Sequence, residues 1–211
     1  MNPVDVALQG SIPSVMVPTR EPVAPMGAPG ERLLIASNGV FLEISRPWVR
    51  LVRRLSSFDW RTPVPYGAAA EHTDLKCGPV PAGLVAQFAQ MASAALPNEA
   101  GAWIVWNAES GDFRLVPLSS LSHGPGHLHY ERPELQAGEC LVVDCHSHGH
   151  SRAYFSSTDD RDDQHDVKFA LVLGNCDRTP SVALRLCIKG RFEVAGAVPQ
   201  NWLAALAGEV V

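Results

Sequence analysis

The chain has 211 residues, 46% hydrophobic and 18% charged, with a net charge of -5 at pH 7. That length holds one well-sized core with a small appendage, and that balance excludes a disordered or membrane-embedded chain. No apolar run is long enough to cross a bilayer, and the acidic excess argues against nonspecific nucleic-acid binding over the whole surface. The start, Met1-Asn2-Pro3-Val4-Asp5, lacks the basic and apolar regions of a secretory signal. Five cysteines with no paired short spacing point to reduced thiols in a cytoplasmic compartment.

Residues 1–30 hold six prolines and little periodicity, which predicts an extended or flexible arm in which Val15, Met16 and Val17 can dock locally. A small β-rich segment over 31–66 follows. Two apolar runs flank Asn38-Gly39, the strongest short hairpin signal. Arg46, Arg50, Arg53, Arg54 and Arg61 are interleaved with Trp48 and Trp60. The cluster offers a surface for an acidic partner or nucleic acid, but a solvated face with its aromatics turned inward is the simpler reading. Prolines 63, 65, 79 and 81 mark a connector into the main domain, 67–211.

From Ala82, Leu84, Phe88, Met91 and Ala95 recur at helical spacing and predict an amphipathic helix that stops at Pro97. An antiparallel pair is expected at 102–106 and 113–118, around a turn at 109–112. Residues 119–138, rich in Gly, Pro, Ser and His, read as a loop with one short strand. A strand over 141–145 leads into a histidine cluster, and Ser157-Thr158-Asp159 has the character of a helix start. Further strands are predicted at 167–173 and 182–188, with a terminal helix from Pro199 to about Ala207. No internal repeat is visible.

The most informative segment is His146-Ser147-His148, followed after seven residues by Ser156 and then by Asp159. Residues two apart on a strand share a face, so both imidazoles can converge on one ion. Two histidines and one carboxylate leave a coordination position open, as hydrolytic zinc sites do and closed structural sites do not. Such a site also needs a base and donors for the developing oxyanion. Glu99, in Pro97-Asn98-Glu99-Ala100-Gly101, is the candidate base, with Glu109 as competitor. Ser156 is placed to donate to the oxyanion, Ser147 to support the ligand geometry, and Asp144 or Asp160 to accept from an imidazole N–H.

These residues resemble the signature of the JAMM (MPN-plus) metalloproteases of the JAB domain type, and the segment around Glu99 resembles the family's upstream glutamate segment. The resemblance covers about residues 82–190. The flanks Tyr130-Glu131-Arg132-Pro133 and Phe155-Ser156-Ser157-Thr158-Asp159 narrow it toward a component of the bacterial PRTRC cassette, which is associated with plasmids and encodes ubiquitin-conjugation-like partners. The family implies an α/β, three-layer JAB/MPN domain with a mixed, curved sheet flanked by helices. It implies zinc (Zn2+) on His146, His148 and Asp159, Glu99 as general base and Ser156 as oxyanion stabiliser. The activity implied is cleavage after the C-terminal tail of a ubiquitin-like modifier or its conjugates. The proline frequent just after the family's second histidine is absent, and Gly149-His150 stands there, which implies a more mobile loop.

Other readings stay open at this level. His127-Leu128-His129, preceded by His123, offers a second metal site but no matching carboxylate. Cys140 and Cys145 suggest a thiol nucleophile, although both sit in an apolar strand where cysteine behaves as a buried hydrophobe. The domain can also be a noncatalytic interaction module of the cassette, or a hydrolase of small amides. Residues 119–138 can pair with an extended substrate tail by adding a strand.

Overall fold

In the computed structural model, which describes residues 1–58 and 64–208, the chain forms two compact units, Met1–Gly78 and Pro79–Val211. The first unit opens with α1 (Pro3–Ser11), capped by the Asn2 side chain, which accepts from the Val4 N–H at 2.9 Å. Next, β1 (Ser14–Met16) runs parallel to β2 (Gly30–Ala36). Residues 3–11 are thus helical where an extended or flexible arm was expected, and Val15, Met16 and Val17 dock locally as expected. Pro3 occupies the first turn of α1, while Pro13 and Pro18 flank β1, positions where a missing N–H costs no internal bond.

β3 (Gly39–Ser45), β4 (Val49–Ser56) and β5 (His72–Leu75) complete a sheet of order β1-β2-β3-β4-β5. Asn38-Gly39 turns β2 into β3, with Ile35 opposite Val40. Because β5 pairs with β4, the first unit runs past residue 66, further than the sequence suggested. Its apolar cluster joins Val17, Leu34, Ala36, Phe41 and Val52. Beside it Glu43, 0% exposed, receives Arg32 and Arg50, each at 2.6 Å. Burial pushes its carboxyl upward, but the two guanidiniums outweigh that and hold it below the usual range.

The arginine cluster is engaged within this unit. Arg46 pairs with Glu31 at 2.6 Å, Arg53 donates to the His72 carbonyl and the Thr73 hydroxyl at 2.7 Å each, and Arg54 lies over the Phe41 ring. Trp48 is buried as expected, but so is Arg53, and Arg46 and Arg50 are half-buried, so the expected solvated face is instead a set of internal charge pairs. Trp60 and Arg61 lie outside the described residues.

The second unit begins with α2 (Ala82–Ala94). Its buried face is Val85, Phe88 and Ala92, one position round from the predicted stripe. Apolar residues occupy both 84 and 85 and both 91 and 92, so spacing alone cannot choose between two stripes that share Phe88. The central sheet has order β13-β12-β11-β10-β6-β7. Its strands are β6 (Gly101–Asn107), β7 (Phe113–Pro117), β10 (Glu139–Ser147), β11 (Val167–Gly174), β12 (Ser181–Ile188) and β13 (Arg191–Val194). Only the β10–β11 pair is parallel, which makes the sheet mixed. A separate hairpin, β8 (Ser120–Gly124) and β9 (His127–Tyr130), stands where one short strand was expected. Pro125-Gly126 makes its turn. The remaining helices are α3 (Ser157–Asp163) and α4 (Gln200–Leu206). The predicted mixed α/β domain with a β-rich N-terminal segment is what the chain forms.

Register sorts the central sheet into two faces. Residues paired across strands share a face, so Asp144 and His146, Lys168 and Ala170, Arg185 and Cys187, and Gly101 and Trp103 line one side. The other side carries Val143, Cys145, Leu171, Leu184, Leu186 and Ile104, all buried. The side that carries ion pairs is also the side that carries the histidine.

Candidate metal centre

β10 delivers His146 just before its end, and the His148 N–H extends the pairing to the Leu173 carbonyl at 2.8 Å. Asp159 comes from the first turn of α3. The Nε2 atoms of His146 and His148 are 3.2 Å apart, and Asp159 Oδ1 is 3.3 Å from His146 Nε2. One ligand atom from each of the three residues lies within 4.8 Å of the others. Bonds of about 2.0–2.1 Å from zinc at a tetrahedral angle place neighbouring ligand atoms roughly 3.3–3.4 Å apart, so the two edges at His146 fit that ion.

The local chemistry favours the ligand forms. His148 Nδ1 faces the Arg152 carbonyl at 3.4 Å, which directs a proton to Nδ1 and leaves Nε2 as a lone pair. Burial, and then His146, lower the His148 pKa against the opposing pull of that carbonyl and Asp159, so the neutral ring is favoured. The Tyr154 ring meets His148 edge to face at 4.5 Å. Just beyond, Gly149 has φ +53, and an added Cβ would sit 3.0 Å from the Pro97 carbonyl oxygen. Proline, fixed near φ -65°, cannot make this turn, so the departure from the family pattern has a backbone cause.

Ser156 is the N-cap of α3 and forms a capping box with Asp159. Its N–H and its hydroxyl both donate to Asp159 Oδ2 at 2.6 Å, while the Asp159 N–H donates back to the hydroxyl at 3.3 Å. One carboxylate oxygen is thereby held by the cap and the other faces His146. The Ser156 proton points at a ligand here, so service as an oxyanion donor calls for rotation of the hydroxyl.

Glu99 and the three candidate ligands line one open cleft of ≈ 650 Å³. The residue is 9% exposed, and its N–H donates to the Gly124 carbonyl of the hairpin at 3.1 Å. Burial, followed by the nearby Asp159 charge, raises its carboxyl to about 7. Two residues on, a Cβ at Gly101 would meet Leu128 at 2.7 Å and Leu118 at 2.8 Å, so glycine there lets the hairpin close over β6. Ser147, 0% exposed on the face away from His146, accepts from the Ala100 N–H at 2.9 Å, the supporting position expected of it.

Several sequence expectations resolve differently. Asp144 pairs with Lys168, and Asp160 with Arg185, so neither accepts from an imidazole; the cations of neighbouring strands claim them. Glu109 sits in an exposed turn away from the cleft lining. Cys145 is fully buried and its thiol is held well above the usual range by burial and by Asp144, which disfavours a thiolate. His127 and His129 line the cleft with ring centroids 6.0 Å apart, but among the described residues they join no third ligand. Sequence reasoning missed the Arg152 carbonyl, Tyr154 and the Lys168–Arg185 pair. A main-chain acceptor leaves no trace in residue identity, but Lys168 and Arg185 were visible as lone cations inside otherwise apolar strands.

Residues 81–187 match the family of prokaryotic homologs of the JAB domain, and the chain belongs to it. Residues 2–76 match a domain of unknown function (DUF2016). Among solved structures, protein DSY2949 from Desulfitobacterium hafniense is similar at 19% identity with a TM-score of 0.41, covering 55% of this chain and 87% of that one. No curated protein matches. No helix among the described residues is long and apolar enough to cross a membrane.

Proposed function

We propose that this chain is a zinc-dependent metallo(iso)peptidase that cleaves a peptide or isopeptide bond after the C-terminal tail of a ubiquitin-like modifier. We read it as protein A of a PRTRC-type cassette, acting in the cytoplasm beside that cassette's other proteins. What carries this reading is the convergence of His146, His148 and Asp159, with the two edges at His146 of tetrahedral length, and Glu99 on the same cleft.

His146, His148 and Asp159 would hold the zinc. When bound, zinc supplies Lewis acidity and lowers the pKa of its water ligand to about 7. The protein's own residues do the rest. Glu99, buried on the same cleft as the three ligands, accepts the proton of the attacking water and later returns it to the leaving amine. Ser156 orients Asp159 and, with its hydroxyl turned, donates to the oxyanion. The hairpin wall, with Leu118, Leu128 and Tyr130 lining the cleft, lays an extended tail across the site and excludes water.

The decisive experiment compares wild type with Glu99→Gln for zinc content and for cleavage of a linear fusion to the modifier-like protein of the same cassette. The variant should keep one zinc and lose at least about 100-fold in rate. Equal cleavage by both would refute Glu99 as base. Zinc binding without cleavage of folded modifiers by the wild type would favour a noncatalytic scaffold.

A further inference from the structure

Helix α3 carries Asp159, yet its only buried residue is Asp163. Charge, not apolar packing, fastens it to the sheet. Lys168 on β11 is 2% exposed, and its Nζ lies 2.6 Å from Asp144 Oδ2, 2.8 Å from Asp163 Oδ1 and 3.2 Å from Asp166 Oδ2. Asp144 precedes His146 by two residues on the same face of β10. Asp163 follows Asp159 by four residues, about one helical turn. A single ammonium therefore touches both elements that supply ligands, one structural repeat away from a ligand on each.

Arg185 takes the other oxygen of Asp163 at 2.7 Å and also binds Asp160. Its guanidinium lies between the rings of Phe155 and Phe192, at 4.0 and 4.1 Å. Both oxygens of Asp163 are thus fixed in direction. An apolar contact would let a short helix slide or roll, whereas charge-assisted bonds in a dry interior fix both motions.

We infer that Lys168 is a positioning residue of the metal centre: by bridging Asp144 and Asp163 it sets the spacing between the histidine strand and the aspartate helix, and with it the metal affinity. The inference rests on the zinc reading above. Without the ammonium, Asp144 and Asp163 become buried charges lacking their shared partner, and their repulsion drives α3, with Asp159, away from β10.

The test uses the full chain and three measurements: zinc affinity by competition with a chromophoric chelator, the visible spectrum after cobalt loading, and the urea midpoint of the metal-free protein. Lys168→Met should lose about 10- to 100-fold in zinc affinity, the range for supporting residues of metal sites, and shift the cobalt bands. Asp163→Asn should do the same, and the double variant should be no worse than the weaker single, because both cut one bridge. Arg114→Ala, which breaks the exposed pair with Glu139 on the same sheet, should leave zinc affinity unchanged. Should Lys168→Met fail to fold, Asp144→Asn carries the test with the same expected loss. A folded variant that holds zinc as tightly as wild type overturns the inference and leaves the metal site standing. A wild-type chain that binds no zinc overturns the proposed function and this inference together.

Discussion

Ser147 and Ala100 are joined by two hydrogen bonds, each 2.9 Å: the Ser147 N–H donates to the Ala100 carbonyl, and the Ala100 N–H to the Ser147 hydroxyl. Since Ser147 stands between the two histidines and Ala100 follows Glu99, this clasp ties the proposed base to the proposed ligands. Ser147→Ala leaves the half-buried Ala100 N–H without its acceptor, which should cost about 1 kcal/mol in stability. The displaced carboxyl should lower kcat by roughly 10- to 100-fold with zinc content retained. Full kcat in the alanine variant would show that the clasp does not position Glu99.

Glu99 also gives the metal-free protein a distinctive pH response. Its native carboxyl titrates near 7 while the unfolded one titrates near 4.5. Between those values the native state binds the extra proton, so stability is full below 4.5 and declines as pH rises through 7. The decline should approach about 3 kcal/mol, be absent in Glu99→Gln, and vanish with zinc bound, because a cation favours the carboxylate. Urea midpoints of both proteins across this range check it; parallel curves would contradict it.

Gly149 tests the loop behind His148. Gly149→Ala meets both the positive φ and the Pro97 oxygen and should cost about 1–2 kcal/mol. Gly149→Pro cannot adopt this backbone and should abolish tight zinc binding. If the proline variant bound zinc normally, the left-handed turn would not matter to the site.

In the first unit, Glu43→Gln leaves Arg32 and Arg50 facing a neutral group and should destabilise the protein by about 3–5 kcal/mol at neutral pH. The native carboxyl is held low, so its contribution is present above pH 4.5 and lost as pH falls through the native value. The gap between variant and wild type should narrow on acidification. A gap independent of pH would mean that charge is not its source.

The clustering of His146, His148 and Asp159, the place of Glu99 on their cleft and most strands were legible because their signals are local. His146-Ser147-His148 sits at a strand end, the Asn38-Gly39 hairpin carries its own turn chemistry, and the run after Ala82 repeats at helical spacing. What escaped depends on distant partners. The short strand at 72–75 is exposed throughout and exists through its pairing with β4. β8 of the hairpin is exposed over Ser120–His123 and carries little apolar signal, and the hairpin is held by the Gly124 carbonyl at the Glu99 N–H and by Leu128 over Gly101. Asp144 and Asp160 look like imidazole partners until the β10–β11 pairing brings Lys168 near Asp144 and the docking of α3 brings Asp160 to Arg185.

The cap that Ser156 places on Asp159 has a thermodynamic corollary. With one oxygen already tethered and the two ring nitrogens already together, binding of zinc at the proposed centre would call for little ordering of chain. Uptake should therefore register in a calorimeter with a heat-capacity change close to zero, unlike zinc modules that fold around their ion.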